Sequence, residues 1–185
     1  MKICIALGVV VALLAAASRG RAQEVPNLPA PQKEHEWLAQ LVGEWDAEVE
    51  AVMDPSQPPI KSKGTETVRA LGGFWVVAEN KGDIGGLEFT GVLTLGYSPE
   101  KKQYVGTWVD SMSNYLWTYD GSVDATGKVL TLETEGPCPM KAGETSNFRE
   151  VLEIKSKDHK LFTSSIQMDD GSWFTMLTIN YRRKK

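Results

Sequence analysis

Few side chains in this chain of 185 residues are of a type that does covalent or metal chemistry, and those few lie far apart. The histidines are His35 and His159, and the cysteines are Cys4 and Cys138. Zinc sites draw on Cys, His and carboxylates at tight spacings that this set does not match. Glu34-His35-Glu36 could attract a divalent ion, but it sits where a helix begins. No Gly-x-Ser-x-Gly elbow offers a nucleophile, and neither His is placed to serve one as a base. Gly82, Gly85 and Gly86 make no phosphate loop, because no helix follows and no Gly-Lys-Ser/Thr ending is present. Cys138, in the loop Gly136-Pro137-Cys138-Pro139, has no His near it in sequence and reads as a passive thiol. No catalytic residue, metal ligand or cofactor is assigned, and the balance leans away from an enzyme.

Two features could still recognise a molecule. Asp110 shares a strand face with Trp108 and Tyr104, because strand residues two apart point the same way. If that face is interior, Asp110 is a desolvated carboxylate among aromatics, with a raised pKa unless paired. Arg149 is its expected partner, and the two would either orient a polar ligand head or simply satisfy each other. The second feature is aromatic: Tyr115, Trp117 and Tyr119 alternate along one further face. Such a ladder can line a cavity or fill a core. The candidate ligand-binding set is thus Tyr104, Trp108, Asp110, Tyr115, Trp117, Tyr119 and Arg149.

The elements that must position these residues are almost all strands. Glu34 to Val42 carries Trp37, Leu38, Leu41 and Val42 as one apolar stripe on a short helix, which Gly43 stops. Trp45, Ala47, Val49, Ala51 and Met53 then alternate with acids, a period of two that buries one face. Further strands follow at 64–71, 74–80, 87–97, 103–110, 115–123, 128–135, 145–155, 160–168 and 173–183, separated by Gly-, Pro- and Asp-rich turns. About ten sequential strands make an antiparallel up-and-down meander. Its closure into a barrel would remove two exposed edges. A ten-stranded barrel is wider than the roughly eight strands that side chains can just fill, which leaves room for a modest pocket.

The N-terminus reads as an export signal. Met1-Lys2 is followed by an apolar, charge-free run from Ile3 to Ala17, then by Gly20 and Ala22 as small residues at a cleavage site. The run is short of the roughly 20 apolar residues a spanning helix needs. The expected organisation is a signal peptide over 1–22, a Pro-rich tether over 23–33 and one barrel domain over 34–185. The mature protein would be periplasmic or extracellular, with no membrane segment. Cleavage removes Lys2, Arg19 and Arg21 and no acid, so the formal net charge of −4 becomes more negative still. An acidic surface of that kind is a poor match for nucleic acid or an anionic membrane. Cys138 is then the sole cysteine, so packing, not a disulfide, must stabilise the fold.

Gly43-Glu44-Trp45 after a helix resembles the Gly-x-Trp opening of lipocalin-like (calycin) barrels. Leu41-Val42-Gly43-Glu44-Trp45, Leu71-Gly72-Gly73-Phe74, Leu95-Gly96-Tyr97, Trp108-Val109-Asp110-Ser111, Phe148-Arg149-Glu150 and the ending Ile179-Asn180-Tyr181-Arg182-Arg183-Lys184 together resemble the bacterial family DUF1579 from about residue 34 onward. That resemblance implies a calycin-like barrel. It also implies structural roles for Gly43, Trp45 and Arg183, because a cation near the chain end of lipocalin-like barrels commonly stacks on the Trp of the first strand. The related nitrobindin-like barrels hold haem through a late His, and the last strand here has none. The function expected by fold analogy is binding of a small, mostly apolar molecule inside the barrel. The alternatives are a solidly packed structural or protein-interaction module, and an enzyme with Asp110 as acid or base.

Overall fold

A computed structural model describes residues 29–52 and 56–185. The expected signal peptide, the first part of the tether and Met53 lie outside the described residues. The remaining chain, Pro31–Lys185, is one compact unit. It consists of a helix, α1 (Lys33–Ala39), and ten strands: β1 (Gly43–Ala51), β2 (Ile60–Leu71), β3 (Trp75–Ile84), β4 (Leu87–Ser98), β5 (Gln103–Asp110), β6 (Trp117–Val123), β7 (Val129–Pro137), β8 (Thr145–Ser156), β9 (His159–Gln167) and β10 (Trp173–Arg183). Each strand pairs with its sequence neighbours, and β10 pairs antiparallel with β1 to close the barrel. Closure gives every one of these strands a partner on both sides.

Several boundaries differ from the sequence expectation. The helix stops at Ala39, short of Val42, where the N–H groups of Gln40, Leu41 and Val42 bond three residues back to Trp37, Leu38 and Ala39 in a tighter turn. The strand expected to end at Asn80 runs to Ile84, and its partner starts at Ile60, not Gly64. Gly64 and Gly82 face each other across that pair, so these glycines extend the sheet instead of breaking it. The strand expected from Tyr115 begins only at Trp117, which leaves Tyr115 on the preceding loop.

Period-two alternation fixes which side chains enter the barrel. Trp45 and Ala47 point in from β1, Val68 from β2, Val76 and Ala78 from β3, Leu95 from β4, Leu130 and Leu132 from β7, and Tyr181 from β10, all buried. Helix α1 plugs one end of this core. Its N-terminus is fixed by the Gln32 N–H donating to His35 Nδ1 (2.9 Å). Trp37 Nε1 donates to the Gly127 carbonyl in the β6–β7 turn (2.8 Å), and Tyr104 Oη donates to the Glu34 carbonyl (3.1 Å). His35 packs edge-on against Phe74 and Tyr97. Near the plug Trp45 is 1% exposed and Leu95 and Leu130 are at 0%, while toward the other end Ile166 is equally buried at 1%.

Candidate functional site

The end of the barrel away from α1 is built differently. Val49, Asn80, Trp108, Trp117, Ser164 and Ile179 all point inward, yet they are only half-buried. Solvent therefore enters the barrel at this end. A depression of about 340 Å³ at its β1–β2 side is lined by the inward-facing Val49 and Ser62, and by the outward-facing Glu48, Glu50, Lys61 and Lys63.

The wall of this open half is aromatic. Trp108 on β5 and Trp117 on β6 are direct cross-strand neighbours. Trp117 meets Phe148 of β8 edge-to-face at 5.0 Å and Tyr115 at 5.0 Å, while Phe89 stacks on Trp108 at 6.2 Å. Both indoles lie flat against glycines of the adjoining strands, Trp108 on Gly91 and Trp117 on Gly136. A Cβ at either position would collide with the ring.

Glu150 stands within this wall. It follows Phe148 by two residues on β8 and so enters the barrel with it. Its side chain is buried, and Oε1 accepts a hydrogen bond from Ser164 Oγ of β9 (2.9 Å). Among the described residues Oε2 is buried without a hydrogen-bond partner. Burial pushes this carboxyl up to about 8, against the pull of the Ser164 hydrogen bond. Two strands away on the same wall, Tyr119 of β6 has its phenol raised first by burial and then by the negative charges of Glu150 and Asp110.

The sequence-derived candidates separate into three groups. Trp108, Asp110, Trp117 and Tyr119 come together at the open half. Tyr115 borders it from the loop, 37% exposed, with its hydroxyl on the Glu135 carbonyl (3.2 Å). Tyr104 lies at the other end of β5 and belongs to the plug. Arg149 is a correction: it points outward, pairs with Glu133 (3.0 Å) and lies 4.1 Å over the Trp173 ring. Phe148 fixes that strand's inward face, so Arg149 cannot share it and does not meet Asp110. Asp110 instead binds its own strand end, accepting from Trp108 Nε1 on Oδ2 (2.9 Å) and from the Met112 N–H on Oδ1 (2.8 Å). This leaves it as a clamp on the Trp108 indole, not the free acid that the enzyme alternative needed.

A second polar group lies deeper, at the plugged end. Lys160 of β9 forms a buried ion pair with Glu66 of β2, and its Nζ is 4.6 Å from the ring centroids of both Trp45 and Tyr181. Burial holds the Lys160 ammonium below its ordinary value while Glu66 pulls it back. Motif reading assigns no role to Glu66, Lys160 or Glu150. Strand parity alone carries the signal, since Glu66 shares a face with Val68 and Glu150 with Phe148. Among the described residues no group of three His, Cys, Asp or Glu is arranged to hold a metal ion. The residues do not fit a haem either: His35 spends Nδ1 on the helix cap, and His159 pairs with the outward-facing Arg182 position.

Over residues 30–183 the chain matches the family model described as protein of unknown function (DUF1579). The chain belongs to the DUF1579 family. No curated protein matches it. The crystal structure of Rv2717c from M. tuberculosis is similar at 14% identity with a TM-score of 0.62, over 84% of this chain and 100% of that one. A redesigned β-barrel, mFAP0, bound to DFHBI, is similar at 12% identity with a TM-score of 0.44, over 78% of this chain and 99% of that one. At 14% identity the likeness to Rv2717c is one of fold. Among the described residues of this DUF1579 barrel no helix is long and apolar enough to cross a membrane.

Proposed function

We propose that this protein is an exported barrel that binds a small, mostly apolar molecule in its open half, with Glu150 as the polar anchor. One observation carries the reading: among the described residues a buried carboxyl oxygen, Glu150 Oε2, is left without a partner inside an aromatic wall. A buried polar atom without a partner costs about 1–3 kcal/mol. Ligand sites pair apolar walls with a small number of placed polar groups, as here. The shelves at Gly91 and Gly136 support it, since they press the indoles against the wall instead of across the lumen. Export rests on the apolar run Ile3–Ala17 and the small residues Gly20 and Ala22.

Native mass spectrometry of protein recovered from the exported fraction tests both parts. The protein is expected to start near Gln23 and to carry a small non-covalent mass, or to bind the neutral probe N-phenyl-1-naphthylamine with quenching of tryptophan fluorescence. Protein that starts at Met1 in a membrane fraction refutes export. A chain that carries nothing and leaves the probe dark refutes binding and favours a packed module.

A further inference from the structure

The chemistry of the open half narrows the ligand class, an inference that rests on the binding reading above. Two carboxylates face this lumen, Glu150 from β8 and Asp110 from the end of β5. Among the described residues, none of the inward positions of this half holds a Lys or Arg. Lys160, the one inward-facing lysine among the described residues, is deeper and already paired with Glu66. Arg149, which could have balanced Glu150, is on the outer surface with Glu133. The groups that face Glu150 are Ser164 from β9, Leu132 from β7, Tyr119 from β6 and, farther toward the mouth, Asp110. The lumen is thus acidic and uncompensated, and its walls are the π-faces and edges of Trp108, Trp117, Phe148 and Tyr119.

We infer that the ligand is an organic ammonium ion, an aryl- or alkylamine whose N–H group donates to Glu150 Oε2 while its apolar body lies against Trp108, Trp117 and Phe148. Three features of the site converge on this class. An ammonium supplies the donor that the orphaned oxygen lacks, and a charge-assisted hydrogen bond is about twice as strong as a neutral one. Aromatic walls attract cations through their quadrupoles, most strongly where water is excluded. A carboxylate ligand of the same shape would instead face the like charge of Asp110 with no Lys or Arg to offset it, and would hold Glu150 in its protonated form.

The inference fixes a proton balance. Unliganded Glu150 holds its proton at neutral pH, because burial raises its carboxyl to about 8. Docking an ammonium ionises Glu150, and the released proton leaves to solvent. Tyr119 stays neutral, its phenol being raised away from this range.

The test uses the mature protein and three probes of similar size: 2-phenylethylamine, 3-phenylpropanoate and 2-phenylethanol. Binding is read by isothermal titration calorimetry in buffers of differing ionisation heat, with N-phenyl-1-naphthylamine as a displaceable neutral reporter. The amine is expected to bind at least about tenfold tighter than the acid or the alcohol near pH 7, the ratio that about 1.4 kcal/mol confers. Its binding should release close to one proton, and its advantage should grow from about pH 6 to about pH 9 as Glu150 ionises more readily. Glu150→Gln should abolish both the proton release and the preference while retaining the reporter. If the reporter binds but amine and acid compete equally, or the acid wins, the cation inference is overturned and the binding reading stands. If neither reporter nor any probe binds, both are overturned. The comparison of amine with acid needs no variant, so a Glu150→Gln protein that misfolds does not blunt it.

Discussion

The Arg183 guanidinium lies 4.1 Å from the centroid of the Trp45 indole and joins the last strand to the first at the plugged end of the barrel. The same group donates from Nη1 to the Val42 carbonyl (2.7 Å), from Nη2 to the Gln40 carbonyl (3.2 Å) and from Nε to the Lys157 carbonyl (2.8 Å). Gly43, at φ +140°, makes room for it, since a Cβ there would run into Nη1. The Gly-x-Trp opening and the terminal arginine are therefore one packing unit. Arg183→Ala is expected to lose a cation–π contact worth about 0.5–2 kcal/mol and to strand three carbonyls, for a total near 2–4 kcal/mol in urea melts. Arg182 points outward, and Arg182→Ala should stay within about 0.5 kcal/mol. Equal losses at both positions would mean that a general basic tail, not the stack, stabilises this end.

Trp45 itself is 1% exposed, and its Nε1 donates to the Leu41 carbonyl (3.0 Å) where the chain leaves the helix. Trp45→Ala should cost about 3–5 kcal/mol, the range for deleting a buried aromatic. Trp45→Phe keeps most of the apolar area but leaves the Leu41 carbonyl without its donor, for a smaller loss of about 1–3 kcal/mol. A Phe variant as unstable as the Ala variant would show that the hydrogen bond, and not the buried area, dominates.

The buried pair of Glu66 and Lys160 behaves unlike a surface ion pair. Removing one partner leaves a charge stranded in the core, so Lys160→Met is expected to cost about 3–5 kcal/mol. The double variant Glu66→Gln, Lys160→Met should recover most of that loss, because no unpaired charge remains. Chemical denaturation of the two singles and the double decides it: purely additive losses would mean that the two side chains are energetically independent.

Strand order and barrel closure are legible in the sequence because alternation and turn residues are local signals, repeated ten times along the chain. The aromatic wall is legible for the same reason, since a period of two puts Trp117 and Tyr119 on one face. What local signals do not settle is parity where both faces carry charge. Phe148-Arg149-Glu150 offers a cation outward or an acid inward, and a one-residue shift exchanges them. The buried Phe148 decides for Glu150. Gly64 and Gly82 mislead in another way, because glycine marks both a turn and a close pairing of two strands. The surroundings of Glu150 Oε2 are not legible at all, since they depend on side chains from β5, β6 and β9 meeting in space.

Glu150 also sets a pH dependence of stability. Its folded value, about 8, is above the ordinary carboxyl value of 4.5. The folded state therefore holds a proton that the unfolded chain releases. The stability this contributes is fully present below about pH 4.5 and is lost as pH rises through about 8, with a slope of at most about 1.4 kcal/mol per pH unit. Glu150→Gln keeps the shape and the contact to Ser164 but cannot ionise. Its midpoint in guanidinium should match the parent protein near pH 5 and exceed it increasingly up to about pH 8.5. Subtracting one profile from the other cancels every other titrating group, including Lys160. A saturating ammonium ligand should flatten the parent's decline, because it stabilises the ionised carboxylate in the folded state. A difference profile that is flat from about pH 5 to about pH 8.5 would mean that Glu150 is already ionised in the folded protein, with water reaching Oε2.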